Sequence, residues 1–277
     1  MELMDLAKRA AAIYIENPKV ESVLLGGSVA RGLHDEFSDI ELFIFWKEAP
    51  ADRDRKEPIA RLAGMQLDFH PFEDEEWAET YIVENIKLEI SSFLSSTAIQ
   101  YIEDVTAKFE TDYDKQVLLA TIQDGVPLEG IKPILKLKQQ IEQYPKDLAR
   151  AMIQENAELG SRWQNREALV ARHDWLMLYQ TFVAVEIKLM GILFALNGEF
   201  VHHPAFKWQN HSLGKMNILP ENSSERFASV LLGDPQESVK VLEELVSEIF
   251  QLARSNYPNA IRPGGMERAL GARPRNN

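Results

Sequence analysis

Two carboxylates two residues apart, Asp39 and Glu41, open the segment Asp39-Ile-Glu41-Leu-Phe-Ile-Phe-Trp46, which alternates at first and then runs apolar. That pattern predicts a strand with one face buried and later both. Side chains at i and i+2 share a strand face, so both acids project toward one spot. Two acids side by side on a half-buried strand repel each other, and a divalent cation removes that penalty. Partly hydrated oxygen coordination suits Mg²⁺, which typically takes one or two protein carboxylates plus substrate phosphates. A solvated strand edge is the plainer alternative.

Upstream, the apolar run Val23-Leu24-Leu25 ends in Gly26-Gly27-Ser28, with Arg31 one turn later. Glycines let the backbone bend sharply and approach a ligand closely. Ser28 offers a hydroxyl and an amide at the expected start of a helical turn, where free N–H groups favour phosphate oxygens. An ordinary strand-to-helix turn would read the same way, and the neighbouring acid pair is what points to phosphate. A two-metal arrangement needs a third carboxylate, one ion serving the attacking oxygen and the other a triphosphate. Asp68, in Gly64-Met-Gln-Leu-Asp68-Phe-His-Pro-Phe72, is the candidate if its strand lies beside the first. It could equally mark a strand end, and Gln66 would share its face.

Together these residues resemble the nucleotidyltransferase superfamily of DNA polymerase beta, whose signature is Gly-Gly/Ser, a spacer, then Asp-hydrophobic-Asp/Glu. Within it the similarity runs to antibiotic nucleotidyltransferases of the kanamycin and lincosamide types. Phe37-Ser38-Asp39-Ile40-Glu41 matches a Tyr/Phe-Ser-Asp-Ile-Glu segment of the kanamycin type. Glu158-Leu-Gly-Ser-Arg162-Trp163-Gln-Asn165 resembles its helix Glu-x-x-x-Lys-Trp-x-Asn. In that register the third acid falls nearer Gln66 than Asp68, a departure from the family pattern. The resemblance implies Glu158 as general base for an acceptor hydroxyl and Arg162 as a contact to the nucleotide phosphates. A surface ion pair at i,i+4 would have the same spacing. The resemblance also implies a homodimer whose second subunit completes the site.

The wider chain must position these groups. Its 277 residues suffice for one large domain or two modest ones. Short apolar runs at Val20–Leu25, Ile40–Trp46 and Met65–Phe72 alternate with helix-like segments at Ala51–Leu62 and Asp74–Val83, which argues a sheet layer with flanking helices over 1–125. After the turn-rich Gly125–Gly130, helical spacing fills Ile131–Tyr144, Lys146–Arg172, His173–Asn197 and Pro235–Ser255. An α+β fold follows: a small mixed-sheet nucleotidyltransferase domain, an up-and-down helical bundle over 126–261, and a loosely held tail over 262–277. The loop Phe200-Val-His202-His203-Pro-Ala-Phe206-Lys207-Trp208 carries Lys207, a candidate triphosphate contact, although a packed aromatic loop is the alternative.

Composition narrows the partners. With 30 basic against 43 acidic residues and a formal charge of −13, a polyanionic nucleic-acid partner is disfavoured. Absence of cysteine excludes disulfides and thiol catalysis and fits a cytoplasmic setting. No hydrophobic run is read as approaching the roughly 20 residues needed to span a membrane, so no membrane partner is expected. The reading is therefore a Mg²⁺-dependent transferase, using two ions, that moves a nucleoside monophosphate from an NTP, chiefly ATP, to a small-molecule hydroxyl acceptor. Asp39, Glu41 and Asp68 would hold the metal, and Gly26, Gly27, Ser28, Arg31, Arg162 and Lys207 the nucleotide. The alternative is a nucleotidyltransferase-like regulator or antitoxin-type protein that modifies or masks a partner protein.

Overall fold

The structure is a computed structural model that describes residues 3–274. Two compact units divide it: the chain up to Lys108 together with Lys115–Gln143, and Phe109–Asp114 together with the chain from Tyr144 onward. Each is considered by itself.

The first unit contains α1 (Leu3–Tyr14), β1 (Val20–Leu25), α2 (Gly27–Arg31), β2 (Ile40–Trp46), α3 (Asp52–Arg61), β3 (Met65–Phe69), β4 (Trp77–Val83), β5 (Ile86–Leu94), α4 (Ser95–Thr106), most of α5 (Tyr113–Asp124), β6 (Val126–Glu129) and α6 (Ile131–Gln140). Six strands form one sheet in the order β3-β4-β5-β2-β1-β6. β2 and β5 run parallel, and the other pairs are antiparallel. Even-numbered positions of β2 and β5, among them Ile40, Leu42, Ile44, Leu88 and Ile90, are buried in a core with Leu6, Ala10 and Tyr14 of α1. Each large apolar side chain so enclosed contributes about 1.5–3 kcal/mol. Odd-numbered positions face the other way, where Phe43 and Phe93 stack with centroids 6.5 Å apart.

A polar network lies on the α1–α3 side. Arg55 of α3 is buried and donates to Glu79 of β4 at 2.7 Å and to the carbonyls of His70 and Ala78 at 2.8 Å. Tyr14 donates to the same Glu79 carboxyl at 3.4 Å. Burial pushes the Glu79 carboxyl up to about 7, against the pull of the Arg55 guanidinium.

Two expectations change here. The segment Asp74–Val83, expected to be helical, instead turns at Asp74 and Glu75, both left-handed (φ 50° and 65°), and continues as β4. The expected boundary at 125/126 falls inside the first unit, because Val126 and Pro127 pair with Leu25 and Leu24, adding β6 as an edge strand.

The second unit is helical: α7 (Lys146–Asn156), α8 (Ser161–Gln164), α9 (Arg166–Arg172), α10 (Trp175–Asn197), α11 (Gln209–Lys215), α12 (Ser223–Leu232), α13 (Pro235–Asn256) and α14 (Gly265–Leu270). A six-stranded mixed sheet with helices followed by a helical region is the α+β class expected. α13 begins where Asp234 accepts from the amides of Gln236 and Glu237, with Pro235 in the first helical position, where its missing N–H costs nothing. α10 is the core helix, with every side chain from Leu189 to Leu196 buried. By length and composition α10 is apolar enough to cross a membrane, a run the sequence reading passed over, and just over half of that stretch is buried within the unit. The expected tail is anchored as far as it is described: Trp163 donates to the Ala269 carbonyl at 2.7 Å, and Arg166 donates to the carbonyls of Leu270 and Gly271. Residues 275–277 of that tail lie outside the described residues.

Candidate active site

The Gly26-Gly27 turn and the acids of β2 are built as one piece. The Gly26 amide donates to the Glu41 carbonyl at 2.9 Å, so the turn closes directly onto the acid-bearing strand. Gly27 has φ 63°, a left-handed conformation open to glycine, and a Cβ there would overlap the Glu41 carboxylate. At Gly26 a Cβ would meet the Phe43 ring and Thr121. The glycines therefore admit the Glu41 carboxylate and the Phe43 ring to the space a side chain would fill. Ser28, almost wholly buried, follows at the start of α2. Arg31, at the end of α2, is paired with Asp124, to which its Nε donates at 3.0 Å.

Strand pairing decides which acids converge. Ile40 pairs with Leu88 and Glu41 with Glu89 across the parallel β2–β5 ladder. Directly paired residues point to the same face, one strand spacing of about 4.8 Å apart. Glu89 therefore stands beside Glu41, and Lys87 beside Asp39. The Lys87 ammonium donates to Asp39 at 3.3 Å and also to Glu89. Glu89, and after it Asp39, hold that ammonium above its ordinary pKa.

Asp68 is the residue this arrangement removes from the set. Its row across the sheet runs Asp68, Thr80, Glu89, Glu41, so it does share the face of the acids. But β3 is the far edge strand, three strand spacings from β2, or about 14 Å. Gln66 lies on that same edge strand and, paired with Tyr81, points to the opposite face. The third acid of the cluster is Glu89, which the sequence reading missed. A signal was present: Ile86, Leu88 and Ile90 alternate with Lys87 and Glu89, as a half-buried strand does. The turn before it, Glu84-Asn85 with φ 54° and 67°, is a two-residue hairpin connection of the type that fits strand twist.

The face offers the oxygen donors that a hard cation takes, with Asp39, Glu41 and Glu89 on adjacent strands and the Lys87 ammonium shared by Asp39 and Glu89. Among the described residues, no three His, Asp or Glu side chains are arranged to hold a metal ion as they stand. Asp39 and Glu89 are turned to Lys87. A cavity of about 850 Å³ opens beside Asp39 and Lys87, walled also by Val29, His34, Phe37 and Asn85 among others.

The remaining candidates belong to the second unit. Glu158 and Arg162 do not share a helix: Gly160 at φ 83° precedes α8, which begins only at Ser161. Glu158 is exposed and lies 3.7 Å from Arg268, while Arg162 donates to Gln180 at 3.1 Å. Their expected i,i+4 juxtaposition is thus absent. Trp163, in the same motif, is buried. Lys207 is exposed in a loop flanked by left-handed Phe206 and Trp208, and its ammonium lies 4.8 Å from the centre of the Trp208 ring. Phe206 packs between Phe194 and Tyr113, which anchors that loop.

Comparison with known proteins bears on the first unit most directly. Residues 7–92 match the family model described as "Nucleotidyltransferase domain", and residues 111–209 match one described as "Domain of unknown function (DUF4037)". The first match spans the Gly-Gly turn, Asp39, Glu41 and Glu89. No curated protein matches the chain. Among solved structures, a nucleotidyltransferase-like protein from Exiguobacterium sibiricum is similar at 13% identity and a TM-score of 0.42, over 94% of this chain and 80% of that one. The chain carries a nucleotidyltransferase domain and is an enzyme of that class.

Proposed function

We propose that the enzyme moves a nucleoside monophosphate from a nucleoside triphosphate, ATP first, to a hydroxyl group of a small acceptor, releases pyrophosphate, and depends on a divalent cation such as Mg²⁺. The observation that carries this reading is the β2–β5 register, which sets Glu89 beside Glu41 and Lys87 beside Asp39. Asp39, Glu41 and Glu89 would hold the ion. A bound divalent cation supplies neutralisation of the triphosphate charge and activation of the attacking oxygen. The rest falls to the chain itself. Gly26 and Gly27 place no side chain of their own against the Glu41 carboxylate, and Ser28 and the α2 amides would serve as donors for phosphate oxygens. Catalysis on this view is charge neutralisation and positioning, in keeping with the absence of any nucleophilic cysteine.

Pyrophosphate release, measured with each NTP against a library of hydroxyl acceptors that includes aminoglycosides and lincosamides, tests the proposal. Glu41→Gln and Glu89→Gln should each lower turnover by about a hundredfold or more, as loss of one charge-stabilising group commonly does. Asp68→Asn should leave it unchanged. Turnover that survives Glu89→Gln while Asp68→Asn abolishes it would overturn the assignment of the site. AMP recovered on a protein, with no small acceptor consumed, would overturn the acceptor class.

A further inference from the structure

We propose that Lys87 is the resident counter-ion of the carboxylate site, and that a divalent cation enters by displacing its ammonium group from Asp39 and Glu89. This rests on the reading of Asp39, Glu41 and Glu89 as the metal-binding acids. The geometry behind it is independent of any bound ion. Glu41 and Glu89 are directly paired, and like charges directly opposed across a sheet are destabilising. Asp39, just before Ile40, adds a third negative charge on the same face. Lys87 answers this locally, contacting Asp39 from one side and Glu89 from the other.

Its backbone leaves little choice in the matter. Ile86 and Leu88 on either side face the core, and Glu84-Asn85 fixes the turn just before them. The Lys87 Cα is therefore held opposite Asp39, and only the flexible four-carbon stem can move. The ion pairs are also wet: the side chains of Lys87 and Glu89 are each 44% exposed and that of Asp39 23%. Exposed pairs of this kind are weak and exchangeable. A doubly charged ion attracts the same carboxylates more strongly than one ammonium does, and the adjacent cavity of about 850 Å³ has Lys87 in its wall, giving the displaced side chain room. Lys87 thus holds the acids in place without metal and competes with metal for them.

Two readouts separate this from a merely structural role. Mn²⁺ binding by electron paramagnetic resonance should tighten roughly tenfold in Lys87→Met, because a single positive charge about 5 Å from a divalent ion is removed. Lys87→Arg, which keeps the charge, should bind Mn²⁺ as the wild type does. In thermal unfolding, Lys87→Met should melt lower than wild type without metal and gain more from saturating Mn²⁺, since metal binding then stabilises the folded state more. Unchanged or weaker Mn²⁺ affinity in Lys87→Met, with wild-type binding still lost in Asp39→Asn, would overturn the displacement proposal alone. Failure of wild type, Lys87→Met and Lys87→Arg to bind Mn²⁺ at all would overturn it together with the metal reading.

Discussion

Gly27→Ala isolates the join between the glycine turn and the acid strand. Gly27 sits at φ 63°, and an L-residue there costs about 1–2 kcal/mol. Against this, alanine restricts the unfolded chain and offsets about 0.4–1 kcal/mol. The net loss of stability should therefore be about 1 kcal/mol, readable as a lower urea midpoint with unchanged slope. The larger effect falls on the site. The new methyl would occupy the place of the Glu41 carboxylate, which is the free end of a flexible side chain and can rotate away. A carboxylate about 4 Å from a divalent ion contributes about 2 kcal/mol even at the dielectric of water. Mn²⁺ affinity in Gly27→Ala should thus fall by up to about thirtyfold, to the level of Glu41→Ala. The double variant should bind no more weakly than Glu41→Ala, because the methyl acts through that carboxylate. Wild-type Mn²⁺ affinity in a folded Gly27→Ala protein would refute the reasoning, as would full additivity of the two substitutions.

Two further outcomes concern buried charge. Arg55→Met strips donors from Glu79, His70 and Ala78 and should cost about 3–5 kcal/mol at pH 8.5. Burial raises the Glu79 carboxyl from an unfolded 4.5 to about 7, so its favourable contribution is complete below pH 4.5 and is lost as pH rises through 7. Protonation should accordingly soften the cost of Arg55→Met at pH 5.5, and equal urea midpoint shifts at the two pH values would count against it. Glu186, nearly buried in α10, is pushed up to about 8 by burial, with a hydrogen bond from Gln209 opposing. Its raised value has the same sign, so Glu186→Gln should match wild type near pH 4.5 and exceed it by up to about 5 kcal/mol above pH 8; parallel stability profiles for the two proteins would refute this.

The β2 strand and its two acids were legible because local facts suffice there: alternation sets the face, and a Gly-Gly pair sets the turn. The long helices α10 and α13 were legible for the same reason, their apolar spacing being continuous. Glu89 was not, because its place depends on pairing. The charged run at Asp74–Glu76 gives Asp74–Val83 the look of a helix, which hides the hairpin that carries β5 back beside β2. Without that hairpin the nearest acid in an apolar frame is Asp68, which shares the face of the acids but lies on the far edge strand. The shared helix expected for Glu158 and Arg162 is absent for a different reason. Their four-residue spacing presupposes a continuous helix, and Gly160 interrupts it in a conformation that few other residues adopt.

The same sheet sets cation against carboxylate on both of its faces, with opposite consequences. Glu79 and Glu89 belong to adjacent strands, and Glu79 pairs with Ile90 where Thr80 pairs with Glu89. One residue of offset sends Glu79 into the α1–α3 core and Glu89 to the open face. Inside, Arg55 and Glu79 are shut from water, and either charge left alone would be strongly destabilising, so the pair ties α3 to β4. Outside, solvent screens Lys87 from Glu89 and Asp39, and the contact contributes little beyond neutralising the acids. A pair that contributes little is one that a competing cation can replace. Solvent exposure, rather than the identity of the charged groups, is therefore what leaves Asp39 and Glu89 available for exchange while Glu79 remains part of the frame.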